Sequence, residues 1–289
     1  MGLENFIPEM WSGTLFVKLR KALVFGGLTN KDFVEEIFNY GDTVHINEIG
    51  PVTVNAYTKN ATLTYETLTS ADKTLIIDQA SSFSFKIDDI DKAQTHPKVM
   101  DGAMSDAAYR IGDTIDAFIA GLYAQAGATP SVTTYIGSSA SSLSVSSGNI
   151  IETLSYAQRY LTEKNVPTQG RWIALPPWVV QKLVLAEIGG ISAIGVPKVM
   201  NDGIIVNGFV GQAFGFDIFV SNNVSTDETQ YRVMCGDRSA ISYGGQISEI
   251  EAMRLQTTFA DAARGLYVYG AKVTRPEALL TLYLAEAAG

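Results

Sequence analysis

Val99-Met-Asp-Gly-Ala-Met-Ser-Asp-Ala-Ala-Tyr-Arg-Ile-Gly-Asp-Thr-Ile-Asp-Ala-Phe-Ile-Ala-Gly-Leu-Tyr123 is the stretch on which the fold turns. Met100, Ala103, Met104, Ala107, Ile111, Ile115, Phe118, Ile119 and Leu122 recur at three- and four-residue steps, which keeps one helical face apolar over about seven turns. Asp101, Asp106, Arg110, Asp113 and Asp116 take the opposite face, with Asp106 and Arg110 spaced for an i,i+4 ion pair. Asp91 or Thr95 can cap the start, Pro97 is tolerated only in the first turn, and Gly127 and Pro130 end the pattern. A helix over 92–126 spans roughly 50 Å at about 1.5 Å per residue, longer than a small domain is wide. It has to serve as a spine across the molecule, with Met104 and Phe118 packing it within the chain.

Upstream of the spine the period changes to two. Val44 and Ile46 alternate, Val52 and Val54 follow the Gly50-Pro51 turn, and Leu75 to Asp78 return after a polar tip. Phe83, Phe85 and Ile87 then alternate with Ser82, Ser84 and Lys86. Thr, Asn, Asp and Ser interleave through much of 42–88, and a two-stranded ribbon so thin in core residues is marginal by itself. Further upstream, Ile7, Trp11, Leu15, Leu19 and Leu23 recur at spacing four before Gly26-Gly27. That pattern fits a helix on its own core or an arm docking on a neighbouring chain. The first 31 residues carry net +2 inside a chain of net charge −9.

Downstream, 137–148 (GSSASSLSVSSG) reads as a surface loop or exposed hairpin, and Ile150–Leu161 as a second helix capped by Asn149. Trp172–Leu175 is a short buried strand, and Pro176-Pro177 opens a third helix to Glu187. Glycines crowd 189–215, Phe216–Val220 and Tyr231–Cys235 read as short strands, and 251–273 alternates poorly before a last apolar strand over 279–284. The class is α+β, with no βαβ rhythm and no internal repeat.

Composition bounds the function. In 289 residues, 46% are hydrophobic and only 18% charged, so a large core forms and much of the surface is expected to be covered by something. An excess of acid argues against sequence-independent binding to nucleic acid, which needs basic patches. Cys235 stands alone, excluding disulfides and cysteine metal knuckles, and reads as a buried inert thiol. No signal peptide or membrane-spanning apolar run is visible. His45 and His96 lack i+4 partners, and Asp88-Asp89-Ile90-Asp91 lacks calcium-loop spacing and reads as capping for the spine helix. Gly190-Ile-Ser192-Ala-Ile194 fails the G-x-S-x-G pattern at its last position, and no phosphate-binding glycine loop is spelled. No catalytic, cofactor or metal residues are assigned, and the chain is read as a non-enzyme.

Several segments carry a resemblance: Phe6-Ile-Pro-Glu-Met-Trp11, Leu19-Arg-Lys-Ala-Leu-Val-Phe25, Gly41-Asp-Thr-Val-His-Ile-Asn47, Phe85–Gln94 and Tyr269–Ala278. In this order the chain resembles the major capsid (coat) proteins of tailed bacteriophages with the Hong Kong 97 fold. The resemblance implies an N-terminal arm (1–38) and an extended two-stranded loop (39–85). It further implies a peripheral domain with the spine helix (86–164), an axial domain (165–246) and return strands (247–289). It implies self-assembly through pentamers and hexamers into an icosahedral head enclosing double-stranded DNA without sequence-specific binding. The expected partners are a portal, possible decoration proteins and a scaffolding protein that is separate, since no N-terminal scaffolding region has room here. Assembly is expected in the host cytoplasm.

Ile7, Trp11 and Leu15 are the arm contacts expected between subunits, and Tyr57 and Tyr65 those of the extended loop. Lys59 and Lys73 read as ordinary solvated loop lysines rather than isopeptide cross-linkers. Two other readings remain: a nanocompartment shell of the encapsulin type, and a soluble enzyme with a dispersed site.

Overall fold

The computed structural model describes residues 21, 23–32, 40–49, 52–54, 56, 59, 66–67, 70–88, 99–127, 134–188, 209–227, 229–254, 257 and 259–287. The chain builds three sheets. Strands β1 (Thr43–Ile49) and β2 (Ser70–Ile76) form an antiparallel ribbon in the register Thr43↔Ile76 to Ile49↔Ser70. Strand β3 (Gln79–Asp88) pairs with the long β11 (Ala260–Val273), which pairs in turn with β10 (Ile241–Arg254). The third sheet runs β4 (Leu143–Val145), β12 (Leu279–Glu286), β9 (Gln230–Asp237), β5 (Arg171–Leu175), β7 (Phe216–Val220) and β6 (Phe209–Ala213), with β8 (Ser225–Asp227) on β9.

Helix α1 (Val99–Ala120) is the spine, and at about 1.5 Å per residue it covers roughly 33 Å. A 3₁₀ segment, Gly121–Gln125, continues it. The expected spine was longer, and its N-terminal part, with Asp91, Thr95 and Pro97, lies outside the described residues. The Arg110 Nε–Asp106 Oδ2 pair forms as expected at 3.3 Å. Phe118 meets Tyr269 edge-on at 5.4 Å, joining the spine to β11. Asp116, read from the sequence as surface, is 1% exposed. Periodicity placed it opposite the apolar stripe, but a second layer of chain covers that face.

Helix α2 (Ile150–Glu163) buries Ile150, Leu154, Ala157 and Leu161, one stripe at helical spacing, on the large sheet's core. Asn149 does not cap it through its side chain. That amide instead accepts from Ser146 N–H at 2.8 Å and donates to Ser144 O at 2.8 Å, pinning the preceding turn. Helix α3 (Pro177–Ile188) starts at a proline, where the missing N–H costs nothing. Between them every residue of β5 is buried, as befits a strand in mid-sheet. Arg171 is itself buried and donates to the carbonyls of Gln158, Val166 and Pro167 and to Thr162 Oγ1. It ties the turn that follows α2 back to the helix, and burial pushes its guanidinium pKa down.

Two further sequence expectations need correction. First, β5, α3 and β7 make a parallel crossover, so one βαβ unit exists. The glycine-rich stretch before β6 hides the return strand's rhythm. Second, the serine-rich 137–148 contributes β4, which adds to β12 in parallel and buries Val145 completely. Leu143 and Val145 alternate with serines, so the period is two despite the low complexity. Strand β10, over 241–254, begins ahead of the return strands expected from 247 and has a register shift between Ile247 and Glu249. That irregularity breaks the alternation on which strand recognition depends.

Candidate assembly surfaces

Two segments are tied to this body by contacts among the described residues. The first is 21–30. Lys21 Nζ lies 3.4 Å from Asp113 on the spine and donates to Asn223 Oδ1 at 3.0 Å. Asn223 Nδ2 donates to Asp113 Oδ1 at 2.7 Å and to Asp116 Oδ2 at 3.2 Å. Asp116 also accepts from the Gly26 N–H at 3.1 Å, and burial raises its pKa against the pull of these donors. Gly112 leaves the spine room for Leu23, whose Cδ1 would sit 2.7 Å from an added Cβ. Phe25 meets Trp172 edge-on at 6.5 Å. Asn30 exchanges backbone bonds with Ile241 and Tyr243 of β10. The described residues of 21–30 are thus stapled to the spine, the large sheet and β10.

The second segment is the ribbon. Its base rests on β11 through a small core of Val44, Leu75, Ile77 and Val268, separate from the main one. The even-numbered residues of β11, Leu266, Val268 and Gly270, face this base, while Tyr267, Tyr269 and Ala271 pack on the main core. Gly270 is required there: a Cβ would lie 2.3 Å from Ile76 O. Lys73 Nζ donates to Thr274 O at 2.8 Å and Lys272 Nζ to Thr74 O at 2.9 Å, a reciprocal clamp of ribbon and body. Lys73 is therefore not the solvated lysine expected. A His45 Nδ1–Asp72 Oδ2 contact of 2.7 Å crosses the ribbon, giving His45 a structural partner. Beyond the base the apolar side chains are unsheltered: Val52 is 63% exposed and Val54 93%.

Ile7, Trp11, Leu15, Tyr57 and Tyr65 all lie outside the described residues. The residues that hold these segments, Asn223, Gly270 and Lys272, carry no sequence signal, because each matters only through contact with a distant segment. Phe259, at the β10–β11 turn, is 81% exposed and was also missed. No group of three His, Cys, Asp or Glu suited to a metal occurs among the described residues. Cys235 is wholly buried, and burial pushes its thiol pKa far up. The Tyr243 and Tyr267 hydroxyls bond at 2.9 Å inside the protein, with the Tyr243 pKa likewise driven upward.

A family model described as Phage capsid protein matches residues 70–282, from the ribbon's second strand into β12. No curated protein matches the sequence. Among solved structures the chain is similar to one of Mycobacterium phage Che8, with 25% identity, 97% of this chain and 98% of that one covered, and a TM-score of 0.70. It is similar to a chain of the capsid of cyanophage P-SCSP1u, at 18% identity with 99% and 95% covered and a TM-score of 0.73. It is similar also to one of the capsid of Ralstonia phage GP4, at 13% identity with 100% and 98% covered and a TM-score of 0.70. A two-stranded ribbon clamped to a long-stranded sheet, a spine helix, and a family match spanning all three sheets lead to one assignment: the chain belongs to the phage capsid protein family, whose members are structural virion proteins and not enzymes.

Proposed function

We propose that this protein is the major subunit of a tailed-phage head of the Hong Kong 97 type, closing through pentamers and hexamers around double-stranded DNA. The supporting observation is the ribbon. Among the described residues its clamps lie at its base, and apolar residues such as Val54 have no cover. Such a surface is satisfied by lying on a neighbour, and head-to-tail contacts of that kind close into rings. Several modest contacts per subunit then add as in multivalent binding. In this reading 1–38 is the arm, 39–85 the extended loop, 86–164 the peripheral domain, 165–246 the axial domain and 247–289 the return strands. Its partners are a portal, a scaffolding protein, decoration proteins and the enclosed DNA, with assembly in the host cytoplasm.

Negative-stain microscopy of the purified full chain tests this: closed shells support it, and a persistent monomer at high protein concentration overturns it. Ile7, Trp11 and Leu15 of the arm, and Tyr57 and Tyr65 of the loop, are the proposed contacts with neighbours. Trp11→Ala is expected to weaken assembly more than it lowers the subunit's melting temperature, measured by light scattering and calorimetry. Normal shell yield beside a reduced melting temperature would contradict that assignment.

A further inference from the structure

A groove of about 600 Å³ lies where three segments meet: the ribbon at Lys73, the turn after α2 at 164–167, and the connection from β11 to β12 at 275–278. The groove is built into the fold. Gly127 N–H donates to Pro276 O at 2.8 Å, so close that an added Cβ would sit 2.4 Å from that oxygen. At the end of α2 the chain turns through Asn165, which has a positive φ of 58°.

Its charge runs against the rest of the chain, whose net charge is −9. Lys73, Lys164 and Arg275 line it against the single carboxylate of Glu277. Lys73 donates to Thr274 O, which leaves its charge uncancelled by that bond. Lys164 and Arg275 have no carboxylate partner among the described residues. The Lys164 ammonium lies 5.9 Å from the Tyr160 ring centroid, and Arg275 donates to Ser239 Oγ at 3.5 Å. A fourth cation stands behind the wall. Arg171 is 1% exposed and donates to the carbonyls of Val166 and Pro167, two of the lining residues. All its bonds go to carbonyls and one hydroxyl, and the acid that acts on it is Asp237, opposite it in β9. Four cations thus stand against two carboxylates. A cleft of one sign with a low-dielectric wall focuses its potential on whatever enters.

We propose that this groove is an anion site that binds linked phosphate groups through Arg275, Lys164 and Lys73. The lining selects phosphate over an acidic peptide. The N–H groups of Asn165, Val166, Arg275 and Ala278 are spent within the chain, and Pro167 and Pro276 have none. A peptide strand therefore finds little main chain to pair with, and what remains is side-chain charge. A phosphate offers acceptor oxygens in several directions to separate cations, and a guanidinium fork fits two of them at once. Linked phosphates also bring charge enough for all three lining cations in the face of Glu277. The same chemistry is found in a nucleic-acid backbone and in a free polyphosphate. The site is complete within one subunit, so it stands apart from the shell-building role proposed above.

The test is calorimetric titration of the full chain with inorganic tripolyphosphate, a short DNA duplex and a glutamate oligopeptide. Tripolyphosphate should bind. Lys164→Ala and Arg275→Ala should each weaken that binding at least about tenfold, the loss of a charge-assisted bond, with an unchanged melting temperature. Glu277→Gln should tighten it, and Lys86→Ala, an exposed lysine of β3 outside the groove, should leave it unchanged. A duplex that displaces tripolyphosphate assigns the phosphate to nucleic acid, and one that does not assigns it to a free polyphosphate. No binding of tripolyphosphate overturns the site. So does equal binding of the glutamate peptide, a Lys86→Ala loss as large as that of Arg275→Ala, or a Glu277→Gln chain that binds no more tightly than the wild type. None of these results depends on whether shells are seen by microscopy.

Discussion

Gly270→Val is expected to lift the ribbon from the body and abolish assembly while the large core stays folded. The valine Cβ would meet Ile76 O at 2.3 Å and press on Ile77 Cδ1 at 3.0 Å. The first neighbour is backbone, so no rotamer change relieves it. Either β11 or the end of β2 must move, and both are fixed: Gly270 pairs with Gly244 in one sheet, while Ile76 pairs with Thr43 in the other. Shifting β2 also pulls Lys73 from Thr274 O and Thr74 O from Lys272, and opens the core of Val44, Leu75, Ile77 and Val268. Overpacking a tight contact costs about 1–3 kcal/mol, and each charge-assisted bond lost adds about 1.5–3 kcal/mol where it is sheltered. No conformer of the valine chain keeps all of these interactions. Proteolysis should then cut the ribbon far faster than in the wild type, with the main core still protected and no shells by microscopy. Gly121→Ala is the control, because nothing lies within 4 Å of its Cβ. Shells from the valine variant, or equal proteolysis of ribbon and core, would show that the ribbon's seat is not what Gly270 provides.

What the sequence made legible follows from which interactions are local. The ribbon's alternation, the α2 stripe of Ile150, Leu154 and Leu161, and the spine's stripe from Ile115 to Leu122 are each set within one element, and the structure has them, whereas Met104, Ala107 and Ile111 are only half-buried and join neither core. Strand β4 was missed because only two aliphatics mark it, and it gains its place from β12, more than 130 positions away in the chain. The βαβ unit was missed for a similar reason: β5 and β7 pair in parallel across a long intervening stretch without strong rhythm. The 241–254 strand fails the period-two test because its register slips at Ile247/Glu249 and because Gly244 and Gly245 stand where side chains would mark a face. Glycine at Gly245 has its own reason: a Cβ would crowd the Tyr243 and Tyr267 hydroxyls.

The assembly surfaces divide in the same way. A ribbon too poor in apolar residues to stand alone is readable from composition and period, whereas the N-terminal stripe of Ile7, Trp11 and Leu15 lies outside the described residues. The parts that hold the two segments to the body are not readable. Asn223 looks like a turn residue until it is seen bonded to both Asp113 and Asp116. Asp116 looks like one more polar-face carboxylate, because helical spacing says which residues share a face and nothing about what later packs over it. Lys272 looks like a surface charge in a strand until its ammonium is found on a ribbon carbonyl.

Asp116 gives the second large effect, and it carries a pH dependence with a definite sign. Asp116→Leu is expected to destabilise the subunit by about 3 kcal/mol or more, since it strands the Gly26 N–H and one Asn223 amide donor, each unsatisfied buried group costing about 1–3 kcal/mol. In a chain of this size each kcal/mol lowers the melting temperature by roughly 2–4 °C, so the fall should be about 6–12 °C. Asp116→Asn keeps one acceptor oxygen and should cost less. The charges nearby are Asp113, which also binds Asn223, and Lys21, which pairs with Asp113. Burial nevertheless dominates and raises the Asp116 pKa. The folded chain then holds this proton more tightly than the unfolded one, so the contribution of Asp116 to stability falls as pH rises from the ordinary carboxylate value through the raised one. Acid relieves this site instead of releasing it. Because Asn does not titrate, the stability of the wild type relative to Asp116→Asn should improve as pH is lowered through that window, even while both proteins lose stability through their other carboxylates. Denaturant melts of the pair at matched pH values measure the difference directly. A constant gap would mean that the donors cancel the desolvation, and a gap moving the other way that they outweigh it, so that acid loosens the seat of residues 23–30.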